Sequence, residues 1–365
     1  MMRPGYILIV LILLMDSCVD PVNLPIIRNA NVMVVDGMIT NAAGPQTVRL
    51  FYTSALDENV NLPAPVPNAT VTITDDLGTV VVLSETSEGV YETDSGFSGV
   101  VGRTYTLNIQ KDDGSAYESV PTLMKESGVI ASVYQDFREN VLNDGDLTKP
   151  QDALYFYVDA QASDQTNLLR WRWRATYYVR TYPELVTRRI DGEIVPFPLP
   201  CSGYEPGGDG GITYVKPCTC CECWPVINSN TVAITQPQSN TDALFAHEYI
   251  GRVPVDQVYF YEKMVVEVDQ LSVSDEVYQF WLLTKTQLEG AGSIFQPNII
   301  KVRGNMRSVT DNNEEVFGVF SVSAVTTERL TITSQDIPKQ LFPQDTIKSD
   351  CRLYYKASNQ RPPFW

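Results

Sequence analysis

Histidine is almost missing: one residue in 365. That counts against a histidine-based catalytic triad, which would need this one residue in place, and excludes a multi-histidine metal site. Basic residues are also scarce, 27 Lys and Arg against 44 Asp and Glu, a formal net charge of −17. Such a surface repels nucleic acid and anionic lipid headgroups and keeps the chain well solvated. After the N-terminus there is no run of the ~20 apolar residues a membrane-spanning helix needs. The sequence also lacks G-x-S-x-G, P-loop, H-E-x-x-H and dinucleotide fingerprints. "GGDGG" (Gly207 to Gly211) reads only as a loop, and "NDGD" (Asn143 to Asp146) lacks the spaced ligands of a calcium loop. His247-Glu248 reads as a lone pair near a strand end. Among so many carboxylates no acid–base pair stands out. Neither catalysis nor a cofactor is therefore expected.

What is present begins with MMRPGYILIVLILLMDSC. Arg3 is followed by the apolar run Tyr6 to Met15, too short for a stable anchor but suited to a signal peptide. Met15-Asp16-Ser17-Cys18 resembles the lipobox of bacterial lipoproteins. The expected layout is a signal peptide over 1–17, then Cys18 as lipidated N-terminus of a tether over 18–28. The alternative is a plain secretory signal with Cys18 incidental. On the lipoprotein reading, lipid holds the chain to a membrane in an oxidising compartment.

Tyrosine (19) outnumbers phenylalanine (13), and 23 prolines and 22 glycines punctuate short Val- and Thr-rich runs. The composition is that of a mainly β protein. Seven short strands between Asn31 and Val120, with frequent turn signals, predict an N-terminal β-sandwich over 29–122. The phrase "PVPNATVTITDDLG…GVYETDSGFSGVVGRTYTLNI" resembles immunoglobulin-like and carboxypeptidase-regulatory-like modules, with Asn68 where those carry glycine. The resemblance implies a spacer or docking platform.

A second β-rich domain is expected over 123–365. Its clearest strand is "LLRWRWRATYYVRT", whose period of two puts Arg170, Arg172 and Arg174 on one face. Trp171, Trp173, Ala175 and Tyr177 take the other face. Either the arginines form a surface for anions or sugars, or they pair with the abundant carboxylates above a tryptophan core. A Pro-, Gly- and Cys-rich loop spans about 182–240. "SDEVYQFWLLTKTQLEG" predicts one long helix over about 274–289, capped by Ser274 and stopped at Gly290. Val277, Phe280, Trp281, Thr284 and Leu288 would form its packing stripe.

Within the loop, "PCTCCECW" holds Cys218, Cys220, Cys221 and Cys223, joined by Cys201 earlier in the loop and Cys351 beyond it. Six cysteines allow fifteen pairings. Structural disulfides are the default in an exported chain. A bond between the adjacent Cys220 and Cys221 would close a strained ring. The alternative is a thiolate copper or zinc site on Cys218, Cys220, Cys221 and Cys223. A redox C-x-x-C should open a helix, whereas Pro217 and Pro225 flank this one.

Four phrases carry a wider resemblance: the helix with Tyr278 to Trp281, Gly304-Asn305, the Gly318 to Phe320 strand and "VVDGMIT" (Val34 to Thr40). Together with "PPFW" at the C-terminus, they are similar to domain of unknown function 4249, found in Bacteroidota. The resemblance implies an outer-membrane lipoprotein, at the periplasmic face or cell surface, often encoded beside a TonB-dependent transporter barrel. The expected function is then that of an accessory in nutrient binding or uptake. A stand-alone surface binder of glycan or protein and a metal-handling lipoprotein remain alternatives. The family-like "C-x-x-C-W" of Cys220 to Trp224 implies a Cys220–Cys223 disulfide.

Overall fold

The computed structural model describes residues 32–53, 63–143, 146–236, 243–290, 302–341 and 345–365. The expected signal peptide, tether and Cys18 lie outside them.

The chain is mainly β, as its alternating runs predict. Two six-stranded sheets enclose the N-terminal core. One runs Val316–Ser323, Met33–Thr40, Thr47–Tyr52, Val90–Glu92, Ser84–Ser87, with Ala64–Pro65 beside the third. The other runs Met306–Ser308, Ala116–Ser119, Thr104–Gln110, Thr70–Asp75, Val80–Val82, with Thr122–Leu123 at its side. Every second side chain turns inward, so Val35, Leu50, Ile73, Leu107 and Phe320 share one buried cluster. Asn68 takes a left-handed φ of 60°, a conformation that asparagine tolerates better than most non-glycine residues.

This core does not end at residue 122. Val316–Ser323 adds parallel to Met33–Thr40 in unbroken register, and Met306–Ser308 adds antiparallel to Ala116–Ser119. The expected boundary divides the sequence but not the sandwich: both inserted strands cover edges that the N-terminal strands leave unpaired. Gly318 makes the parallel pairing possible. Its φ is +88°, and a Cβ there would sit 1.9 Å from the Val35 carbonyl oxygen.

The second core lies between two further sheets. One has Leu169–Tyr177 beside Lys263–Ser272, then Val325–Thr333, with Val226–Asn228 and Ala233–Ile234 on the other side of Leu169–Tyr177. The other orders Val129–Asn143, Asp146–Gln161 and Leu244–Pro254. Trp173 meets Phe156 edge-on at 5.1 Å, and Trp171 meets Phe245 at 6.0 Å. Both indole N–H groups are satisfied, Trp171 donating to Gln270 Oε1 (2.9 Å) and Trp173 to the Ile250 carbonyl (3.0 Å).

The helix spans Asp275–Gly290, so Gly290 belongs to it rather than ending it. Ser274 Oγ accepts from the Val277 N–H at 3.3 Å, and Asp275 and Glu276 favour the positive N-terminal end. The buried face is short. Val277 and Tyr278 pack against Val319 and Ile234, Phe280 and Trp281 are half-buried, and Leu288 is 61% exposed. The expected stripe therefore stops near Thr284, because the helix leaves the sheet after two turns. Among the described residues no helix is long and apolar enough to cross a membrane.

Candidate functional site: a cavity walled by disulfides

All six cysteines among the described residues are oxidised, as Cys201–Cys220, Cys218–Cys221 and Cys223–Cys351. The expected Cys220–Cys223 bond is not made. Glu222–Cys223 is extended and pairs with Val179–Arg180, so it turns Cys223 into the second core, where Cys351 waits at the start of a short helix. Cys220 is left to Cys201, whose carbonyl accepts from the Thr219 N–H at 2.9 Å. With every one of these sulfurs in a disulfide, no thiolate is available for copper or zinc. Cys201 and Cys220 do lie with Asp350 in a potential metal cluster. The Asp350 carboxylate, however, is taken by Arg352 at 2.7 Å, which holds it below its usual range.

The bonds fix a cavity of about 390 Å³. One wall is a hairpin, Tyr204–Pro206 with Ile212–Tyr214. The expected loop at Gly207 to Gly211 is its tight turn, closed by Gly207 N–H to Gly211 O at 2.9 Å. Gly203 enters this hairpin with φ +81°, and a Cβ there would lie 1.9 Å from the Lys216 carbonyl oxygen. The cysteine run forms the floor, where the half-buried Cys218 and its partner Cys221 face the space. The C-terminal tail closes the far side. Trp224 N–H donates to Ser358 O (2.9 Å), and the Asn359 amide donates to Thr219 O (3.0 Å).

Three aromatic residues line this space. Tyr204 and Tyr214 meet edge-on at 5.5 Å, with Tyr214 58% exposed at the mouth. Trp224 is buried between Tyr178 (5.7 Å) and Trp365 (6.5 Å). Arg180 and Glu222 form an ion pair at 3.3 Å across the wall. Burial and then the nearby Glu222 carboxylate push the Tyr178 phenol up to about 12, so it stays a hydroxyl at neutral pH. Two wall residues carry unmet polar atoms: Glu184 Oε2 and the Trp224 Nε1–H are buried without a hydrogen-bond partner.

The arginine row lies elsewhere. Arg172 pairs with Asp269 at 3.0 Å, and Arg174 pairs with Glu267 at 2.8 Å and with Asp269 at 3.3 Å. Arg329 reaches Glu267 from the neighbouring strand at 2.9 Å. These guanidiniums balance two buried carboxylates. Arg170 differs: it stacks 3.7 Å from the Trp281 ring, which ties the strand to the helix. The structure thus does not bring the arginines together with the cysteines.

His247 is the fourth residue of Leu244–Pro254, with a left-handed φ of 58° on the exposed side of its sheet. Its ring stacks on Tyr157 at 4.0 Å and its Nδ1 lies 2.9 Å from the Tyr134 hydroxyl. Tyr155 and Tyr249 extend this patch. Sequence reading missed both the patch and the cavity walls. The walls come from segments spread between Arg180 and Asn359 with no shared spacing, and the patch joins residues of three strands.

The family model described as "Domain of unknown function (DUF4249)" matches residues 19–329. No curated protein matches the chain.

Proposed function

The chain belongs to this family of unknown function, and from that premise we propose that it is a non-enzymatic binding protein, exported and held at the outer membrane by lipid on Cys18. In this reading it serves a TonB-dependent barrel as an accessory in nutrient binding. The N-terminal sandwich, read as immunoglobulin-like, acts as spacer and docking platform. The observation that carries the proposal is the cavity itself, lined by aromatic and polar side chains and fixed by disulfides on loops that would otherwise be free to move. Its volume falls in the range of about 300–1,000 Å³ typical of small-molecule clefts. Loops locked beforehand lose less entropy when a ligand arrives. Disulfides persist in oxidising compartments, which supports export.

The test is to capture the full lipoprotein, gently solubilised from its native membrane after crosslinking, and to identify what accompanies it by mass spectrometry. A stoichiometric β-barrel is the expected result. A lipoprotein recovered alone overturns the accessory role and favours an independent surface binder. A soluble protein without lipid overturns the anchor.

A further inference from the structure

We propose that the disulfide-walled cavity takes a neutral, hydroxyl-rich ring: a pyranose unit of a glycan. The inference rests on the binding reading above and names its ligand class.

Charge narrows the choice first. The wall carries two carboxylates, Glu184 and Glu222, and one guanidinium, Arg180, already paired with Glu222. An anion would meet a net negative wall on a protein of formal charge −17. An organic cation would suit Glu184 but would leave the indole N–H, which can only donate, without an acceptor.

The unmet groups narrow it further. Glu184 Oε2 needs a donor, and Trp224 Nε1–H needs an acceptor. A hydroxyl offers both, with one O–H and two lone pairs. An ammonium ion or a carboxylate offers only one of the two. Leaving either group unpaired is costly, and a polyol supplies the type of partner that each lacks. Ring faces supply the rest. Tyr214 stands at the mouth more than half exposed, its ring tilted 70° from Tyr204. It gives the apolar C–H face of a sugar a flat surface to cover, while the hydroxyl edge meets the polar wall.

The experiment uses the purified full chain with its disulfides intact. Glucose, galactose, mannose and short neutral oligosaccharides are titrated by calorimetry and by tryptophan fluorescence, with tetramethylammonium and citrate as competing classes. Saturable binding of a neutral sugar is expected. It should weaken about tenfold or more in Tyr214→Ala and in Glu184→Gln, since each removes one stacking ring or one charge-assisted hydrogen bond. Tyr249→Ala, in the distant tyrosine patch, should leave the affinity unchanged. Circular dichroism identifies any variant that fails to fold, and the exposed Tyr214 keeps the test open if Glu184→Gln does. Saturation by tetramethylammonium or citrate instead of sugar overturns the proposal. So does sugar binding that ignores both cavity variants, or a panel without saturation at millimolar concentration. A captured barrel with no sugar binding removes only the ligand assignment, whereas sugar binding without a barrel removes only the accessory role.

Discussion

Removing the Cys223–Cys351 disulfide should weaken the fold more than removing either of the other two. The bond spans 128 residues of sequence, against 19 for Cys201–Cys220 and 3 for Cys218–Cys221. Loop-closure entropy in the unfolded chain then assigns about 5, 3 and 2 kcal/mol respectively. Packing adds to the same order. Cys223 and Cys351 are both fully buried in the second core, so alanine at both positions also leaves a void. Cys218 is half-buried beside the cavity, where its loss leaves less unfilled space. The longest bond also anchors the tail that carries Ser358 and Asn359 to the cavity wall, so ligand binding should fall along with stability. The assay is guanidinium unfolding of the three paired Cys→Ala variants, with the remaining disulfides confirmed by mass before and after alkylation. The midpoint should fall furthest for Cys223/Cys351. A Cys218/Cys221 variant destabilised as much would refute the reasoning, because neither loop length nor burial could account for it.

Three further outcomes are expected. Arg174→Ala combined with Arg329→Ala strips two partners from the buried Glu267, and unfolding should show a loss of about 3–5 kcal/mol; Glu267→Gln, which removes the charge with the need for it, should cost less. Gly318→Ala forces a side chain into a left-handed backbone against the Val35 carbonyl, and should lose more than about 2 kcal/mol in urea unfolding. A loss within about 0.5 kcal/mol, typical of a surface change, would contradict the parallel pairing. Burial raises the Glu248 carboxyl above its ordinary 4.5, so the folded chain holds that proton more tightly than the unfolded chain. Its contribution to stability is present at low pH and is lost as pH rises through the raised value. Glu248→Gln should therefore melt above the wild type at pH 7, with the gap closing below pH 4.5; an equal difference at both pH values would argue against the assignment.

Local regularities were readable in advance where the backbone imposes a period. "LLRWRWRATYYVRT" shows its two faces because successive strand side chains point opposite ways. Ser274 announces a helix start because its hydroxyl can meet a free N–H there. The extent of the helix stripe was less readable. Leu288 fits the spacing yet stays exposed, since burial depends on what the rest of the chain lays against that turn. His247 carried no signal for its stacking on Tyr157, since the two belong to strands far apart in sequence.

By itself the sequence determined that the chain is β-rich and acidic, that it holds a single histidine, and that five of its seven cysteines fall in one loop. Each of these follows from composition or from near neighbours. Only the tertiary structure decided that Val316–Ser323 completes the N-terminal sandwich, that Cys223 reaches Cys351 instead of Cys220, and that Tyr214, Glu184 and Asn359 share one cavity. These arrangements join segments tens to hundreds of residues apart. They are selected by which closures bury the most apolar surface and leave the fewest backbone groups unpaired. That competition is global, and no local spacing records its result.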